Sequence, residues 1–416
     1  MELWNEILQT ISRNKWRSLM TAFGVFWGLL MLILLVGSGL GISSGITSGL
    51  TVIPSNTIFM GGGRSAKAHK GFGKDRQISI DNQDVEIIKT NLGNRGRYTT
   101  PLSFAGSKII NYGEENGSFN VVATSPGYYY AVPQQLVFGR YLNDIDAREC
   151  RKVCVIGQKI YDTLFSDGSD PCGTTIQVGN IYFTVVGVVK KLSQMINIGA
   201  DADESVIVPL ETGQLAFNMV NQVHVLCVTL HDQYKISDWQ DRIEGWVKEH
   251  HYVHPEDKSA IWSMNLSEII GTFTNLFLGI GILIWIVGVG SLLAGIIGIS
   301  NIMLVTVKER TQEIGIRRAL GAKPRSIMIQ ILSESLVLTL AAGLTGLVLG
   351  VWILQLAGVI LRASSGDPMV LNMDPQIPFS VAFTALMILV IGGLFAGWMP
   401  ARRAMKIKAV EALGEE

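Results

Sequence analysis

Residues 307–332 read VKERTQEIGIRRALGAKPRSIMIQIL, and they place Lys308, Arg310, Arg317, Arg318, Lys323 and Arg325 between two of the most apolar runs in the chain. Their flanks decide the class of the protein. Four apolar tracts, 19–42, 269–307, 327–361 and 379–400, are each long enough for a bilayer, which needs about 20 helical residues. Leu, Ile, Val, Gly and Ala dominate them, with Glu334 a lone acid near one end. The predicted fold class is an α-helical membrane protein with four transmembrane helices and a mixed α+β extracytoplasmic domain between the first and second.

A net charge of zero hides a segregation. Arg13, Lys15 and Arg17 precede the first tract, the six bases quoted above separate the second and third, and Arg402, Arg403, Lys406 and Lys408 follow the fourth. Short basic flanks stay in the cytosol. Both ends and the 307–326 loop are therefore expected inside, with 43–268 and 362–378 outside the cytoplasmic membrane. A cleaved signal peptide fits poorly, because the first apolar run is long and no small-x-small site ends it.

This order predicts an amphipathic cytosolic helix at 1–17, spans at 18–42, 327–361 and 379–400, and a basic tail at 401–416. Between them lie the exported domain 43–268, the loop 307–326 and the short outer loop 362–378. The tract 269–306 is too long for one crossing and is expected to rise out of the membrane as a stalk.

Within the exported segment, Asp81 followed by Asp84 marks a helix N-cap with an acid in the first turn. Strand-like runs follow at SKIINY, FNVVAT, RKVCVIG, ESVIVPL and QVHVLCVTL, with helices at QKIYDTLF and SDWQDRIEGWVKEHH. TTIQVGNIYFTVVGVVKK is a hairpin turning at Gly179-Asn180. GGGRSAKAHKGFGKD has no apolar anchors and is expected to be a mobile loop. Cys150, Cys154, Cys172 and Cys227 all fall here, where disulfides persist and three pairings are possible. Cys154 and Cys227 sit in strand-like runs and are expected to be buried thiols.

Several chemistries are excluded or disfavoured. No G-x4-G-K-[ST] phosphate loop occurs in these 416 residues. GISSG at 41–45 matches a hydrolase elbow, but a membrane span precedes it where a strand is required. His250, His251 and His254 beside Glu249 have metal-binding character. With no further ligand set evident, a solvated helix end is the favoured reading and no metal site is assigned. Glycines recur at four-residue spacing in the spans, Gly24/Gly28, Gly346/Gly350 and Gly393/Gly397, which lets helices approach closely in lipid.

The 307–332 stretch itself reads as a helix continuing from the second span through Leu320, ended by Gly321 and restarted at Pro324. Ile314, Ile316 and Leu320 exceed what so short a loop can bury, so part of this apolar surface is expected to meet a partner. ERTQEIGIRRALGAKPRSIMIQIL resembles the cytosolic loop of the MacB/FtsX-type permeases, the mechanotransmitting type VII class of ABC transporter. NKWRSLMTAFGVFWGLLM resembles the family's first span, GRYLNDIDARECRKVCVIGQKIYDTLF its MacB-like core domain, and PARRAMKIKAVEAL its C-terminal end.

By that resemblance Glu309, Arg310, Glu313, Gly315, Arg317, Arg318 and Gly321 match loop positions that dock an ABC-type ATPase, with Ile314 and Leu320 beside them. ATP and magnesium would then sit on that partner and no cofactor on this chain. MacB carries its ATPase ahead of the permease, whereas this sequence starts at the permease, so a separate ATPase polypeptide is expected. The resemblance also implies a second permease chain, a periplasmic adaptor with an outer-membrane channel, and efflux of a peptide, toxin or antibiotic. Lipoprotein release and control of a cell-wall hydrolase are alternatives within the class; a membrane-anchored sensor or scaffold is the alternative outside it. Nothing points to nucleic acid.

Overall fold

Lipid offers backbone groups no hydrogen-bonding partner, so a segment that crosses it alone must be helical. The computed structural model describes residues 15–166, 168–192, 197–364 and 377–405. Most of the expected amphipathic N-terminal helix, the outer loop 362–378 and the basic tail lies outside these residues. Among the described residues, four helices are long and apolar enough to cross a bilayer.

The first of them, α1, runs Lys15–Leu50 and so extends past the expected span. It contains residues 41–45 in unbroken helix, so the strand-to-helix elbow that would expose a nucleophilic Ser43 is not formed. Strand β1 (Thr57–Gly62) follows, then α2 (Asn82–Leu92), β2 (Gly96–Tyr112) and β3 (Glu115–Thr124). Next come α3 (Tyr128–Ala131), β4 (Gln134–Gly139), α4 (Asp144–Arg148), β5 (Val153–Gly157) and α5 (Gln158–Leu164). The hairpin β6 (Thr175–Val178) and β7 (Ile181–Lys191) turns at Gly179-Asn180, with Gly179 at a φ of +59°. Beyond it lie β8 (Ser205–Pro209), α6 (Leu210–Ala216), β9 (Val225–Leu230), α7 (Ile236–His250) and β10 (Ile261–Asn265).

These strands make one mixed sheet in the order β10-β1-β9-β2-β3-β8-β5-β7-β4, with β6 paired to both β2 and β7. Parallel pairs occur at β3/β8 and β5/β7; the other pairs are antiparallel. Helices α2 and α7 bury Val85, Ile88, Ile243 and Val247 against β1 and β9, while α5 covers a second core around Val121, Ile156 and Phe183. Asn265 ends β10, and its side-chain oxygen accepts from Ser267 N at 3.0 Å, which starts the 44-residue helix α8 (Leu266–Glu309). At 1.5 Å per residue α8 is about 66 Å long, twice what the hydrocarbon layer needs.

The chain divides into two compact units, one holding residues 46–274 and the other the described helical residues before 46 and after 274. The helical unit continues through α9 (Thr311–Ala319), α10 (Pro324–Ser364) and α11 (Phe379–Met405).

Two local expectations are corrected. The glycine- and lysine-rich segment is not an unanchored loop. The buried carboxylate of Asp257 accepts from Ala66 N at 2.7 Å and Lys67 N at 3.0 Å, and the Arg76 guanidinium lies 4.2 Å over the Phe72 ring. The anchor comes from about 190 residues downstream, beyond any local pattern. His250 and His251 are likewise not a solvated helix end, since both rings bond the buried carboxylate of Asp84. The helix start at Asp81 is as expected, with a full capping box between Asp81 and Asp84.

All four cysteines are free thiols, Cys154 and Cys227 buried as expected, Cys172 partly buried and Cys150 exposed. Burial pushes the Cys172 thiol up to about 11, with the Asp170 carboxylate adding to the rise, so it is a poor nucleophile at neutral pH.

Asp146 gives the exported-type domain a pH dependence. Its fully buried carboxylate takes two hydrogen bonds from Arg140, at 2.6 and 3.1 Å, and one from Asn143 N at 3.1 Å. Burial alone would raise its pKa, but the Arg140 and Asn143 hydrogen bonds and the charges of Arg140 and Arg151 hold it below the usual range. A depressed carboxylate stabilises the fold fully above its unfolded pKa of about 3.9 and loses that contribution as pH falls through the lower folded value. Asp146→Asn is therefore expected to unfold at a lower temperature than wild type at pH 7, and the gap should close on acidification below pH ~4. Calorimetry across that range checks it.

Candidate coupling site

The segment between α8 and α10 carries the coupling residues expected from the sequence. Helix α8 does not run on to Leu320. It stops at Glu309, and Arg310 leaves helical geometry at φ −100° and ψ 16° before α9 begins. The Thr311 hydroxyl donates to the Lys308 carbonyl at 2.7 Å, occupying an acceptor that a continuous helix would give to the residue 312 amide. Arg310 Nη1 then reaches Glu334 Oε1 on α10 at 3.3 Å, across the break. The sequence signals this ion pair only by an isolated acid near one end of a span.

Helix α9 closes with a Schellman motif. Gly321 takes a φ of +97°, its N–H donates to the Arg318 carbonyl at 3.1 Å, and the Ala322 N–H donates to the Arg317 carbonyl at 3.0 Å. Pro324 opens α10, where its missing N–H costs nothing. The result is a short helix held by a tight turn at each end.

Its faces differ. Ile314 is buried with Val307, Ile327, Ile331, Ala401 and Ala404 in the core of the helical unit, and Gly315 is buried beside it. Arg317 bonds Glu313 at 2.9 Å along the helix and Gln330 Oε1 at 3.0 Å on α10. Arg318 donates to the Met405 carbonyl at 3.0 Å at the end of α11. The opposite face presents Ile316, 49% exposed, and Leu320, 83% exposed, among the exposed charges of Lys308, Glu309, Glu313, Lys323 and Arg325. So Arg310, Ile314, Gly315, Arg317 and Arg318 hold the segment on its own helices. Ile316 and Leu320 are left as an apolar tip with a charged rim.

The spaced glycines lie on helix contacts inside the chain. Gly24 approaches Gly295 Cα and Gly28 the Ser291 carbonyl, so α1 packs on α8. Gly346 and Gly350 of α10 face Phe26 and Ile33 of α1, and Gly393 and Gly397 of α11 face Thr339 and Ser335 of α10. A glycine motif announces close approach without naming the partner helix, and here the partners are helices of the same chain.

Comparison with known proteins agrees with this architecture. Residues 18–245 match the family model of the MacB-like periplasmic core domain, and residues 285–409 that of the FtsX-like permease C-terminal region. The macrolide export ATP-binding/permease protein MacB of Bdellovibrio bacteriovorus is 29% identical over 415 residues, 98% of this chain and 61% of that protein. The pyoverdine export ATP-binding/permease protein PvdT of Pseudomonas entomophila is 26% identical over 406 residues, 97% of this chain and 58% of its own length. The chain thus spans about three-fifths of these relatives. The solved periplasmic region of MacB from Actinobacillus actinomycetemcomitans covers 54% of this chain and 96% of its own, with a TM-score of 0.44 and 19% identity. With the first family model covering more than half of the chain and the second most of the remainder, this protein belongs to the MacB-like branch of the MacB/FtsX permeases of ABC transporters.

Proposed function

We propose that this chain is a non-catalytic permease subunit in the cytoplasmic membrane. In this reading it converts ATP binding and hydrolysis by a separate ABC-type ATPase into motion of its exported domain and so drives efflux. The observation that carries the proposal is the exposed apolar tip of α9, Ile316 and Leu320, set among charges on a segment otherwise fastened to α10 and α11. Ile316 and Leu320 stand exposed on the same short helix within a polar rim, the arrangement that marks a partner contact when apolar side chains are exposed together. ATP and magnesium belong to that partner.

Closure of a pair of ATPases would move α9 in each of two permease chains, and α8 would carry the movement outward. The charge segregation supports cytosolic termini and an extracytoplasmic domain. The macrolide and pyoverdine export named for the MacB and PvdT relatives supports efflux of a peptide, toxin or antibiotic, handed to a periplasmic adaptor and an outer-membrane channel.

The test is copurification of a tagged, full chain from its own cells. Leu320→Glu puts a charge into the proposed contact and is expected to weaken capture of an ATP-binding subunit at least tenfold, since a central anchor is worth about 2 kcal/mol or more. Glu313→Lys combined with Arg317→Glu keeps an i,i+4 pair but reverses its polarity and gives up the Arg317–Gln330 bond, and should also reduce capture. Equal capture by wild type and both variants sinks the reading.

A further inference from the structure

Asp81, Asp84, His250 and His251 come together where the start of α2 meets the end of α7, well away from the coupling segment in the chain. Each offers one ligand atom, and the four atoms lie within 4.8 Å of one another. The Asp84 side chain is completely buried. Its Oδ1 is 2.8 Å from His250 Nδ1 and its Oδ2 2.7 Å from His251 Nε2. The second nitrogen of His250 meets Gln83 Oε1 at 3.1 Å. The capping box uses one oxygen of each carboxylate, Asp81 Oδ1 and Asp84 Oδ2, so helix capping does not require the other two.

We propose that Asp81, Asp84, His250 and His251 form a divalent transition-metal site of the zinc class that clamps the start of α2 to the end of α7. Two imidazole nitrogens and two carboxylate oxygens are a four-ligand set suited to tetrahedral zinc, with bonds of about 2.0–2.2 Å. Calcium and magnesium, which take mainly oxygen ligands in larger number, fit it poorly. Around such an ion the ligand atoms stand about 3.3 Å apart, so the His250 Nδ1–Asp84 Oδ1 contact must open by about half an ångström and the widest separations in the group must close by up to about 1.5 Å. The two imidazoles are each about a fifth to a quarter exposed, which leaves an entry path for the ion. The ligands come from segments 166 and 167 positions apart, and the clamp fastens the helix that leads through β10 into α8.

The experiment uses the full chain in detergent with its tag removed. The protein is stripped with EDTA, incubated with Zn2+ alone and freed of excess before metal is counted by atomic spectroscopy and thermal unfolding is recorded. Wild type is expected to retain one zinc per chain and to unfold at a higher temperature with it. His250→Ala with His251→Ala should retain less than a tenth of that and show no thermal shift. Asp81→Ser keeps a capping oxygen for α2 but removes the carboxylate, so zinc affinity should fall by about 10–100-fold or more. His254→Ala, whose ring packs against His69 at 5.3 Å, should keep its zinc. Equal zinc in wild type and the double variant, or zinc lost only with His254, overturns the assignment.

Discussion

Arg310→Ala is expected to destabilise the helical unit by about 3 kcal/mol, and Glu334→Ala by only about 1 kcal/mol, although both break the same ion pair. The difference follows from burial. The Glu334 side chain is 6% exposed and that of Arg310 26% exposed. Removing the arginine strips a buried carboxylate of a cationic partner, and the short side chain cannot carry the charge to water. Removing the glutamate leaves a long side chain that can carry its charge outward to water. Arg310→Met with Glu334→Met should recover most of the loss, because a buried pair contributes little over well-packed apolar groups. Thermal unfolding of the four proteins in one detergent checks these differences, and the single variants Arg310→Met and Glu334→Met complete a double-mutant cycle with the double methionine variant. A cost for Glu334→Ala equal to that for Arg310→Ala would show that the asymmetry of burial does not govern the pair. The pair also ties the break between α8 and α9 to α10, so under the proposed coupling role Arg310→Ala is expected to weaken ATPase capture even though Arg310 lies off the exposed tip.

The parts of this protein legible in its sequence are those written locally. An apolar run of spanning length predicts its helix because lipid leaves the backbone no alternative. The Asp81/Asp84 pair, the Gly179-Asn180 turn and the Gly321…Pro324 stop and restart each depend on side chains within four residues, and each stands in the structure as expected. The features without a local signature depend on groups distant in the chain. The ion pair at the Arg310 break needs Glu334, the order of residues 63–75 needs Asp257, and the histidines at the end of α7 need Asp84. Locally, Glu334 is a lone acid in an apolar tract, Asp257 a charge on a polar stretch and Asp84 a capping acid, and none of them names its distant partner. The α9 face shows the same division: three apolar positions were evident, but only the packing on α10 and α11 separates buried Ile314 from exposed Ile316 and Leu320.

Gly346→Ala is expected to cost about 1–3 kcal/mol of helix-bundle stability, and Gly346→Leu more, against a helix propensity that alone would favour alanine by about 0.8–1 kcal/mol. An added Cβ at this position would stand 2.6 Å from the Phe26 carbonyl oxygen and 3.4 Å from the Leu30 amide nitrogen. Both atoms belong to the backbone of α1, so no rotamer change relieves the contact, and α1 and α10 must separate. Separation in turn loosens Gly350 against Ile33 one helical turn further along, where the room is equally short at 2.7 Å. Gly290 on α8 is the control. A Cβ there meets nothing within 4 Å inside the chain, so Gly290→Ala should be neutral or stabilising. Thermal unfolding of the two variants in the same detergent isolates packing from propensity, since both replace a helical glycine by the same residue. Unfolding of Gly346→Ala at or above the temperature of Gly290→Ala would mean that α1 and α10 do not hold the close approach that their glycines allow.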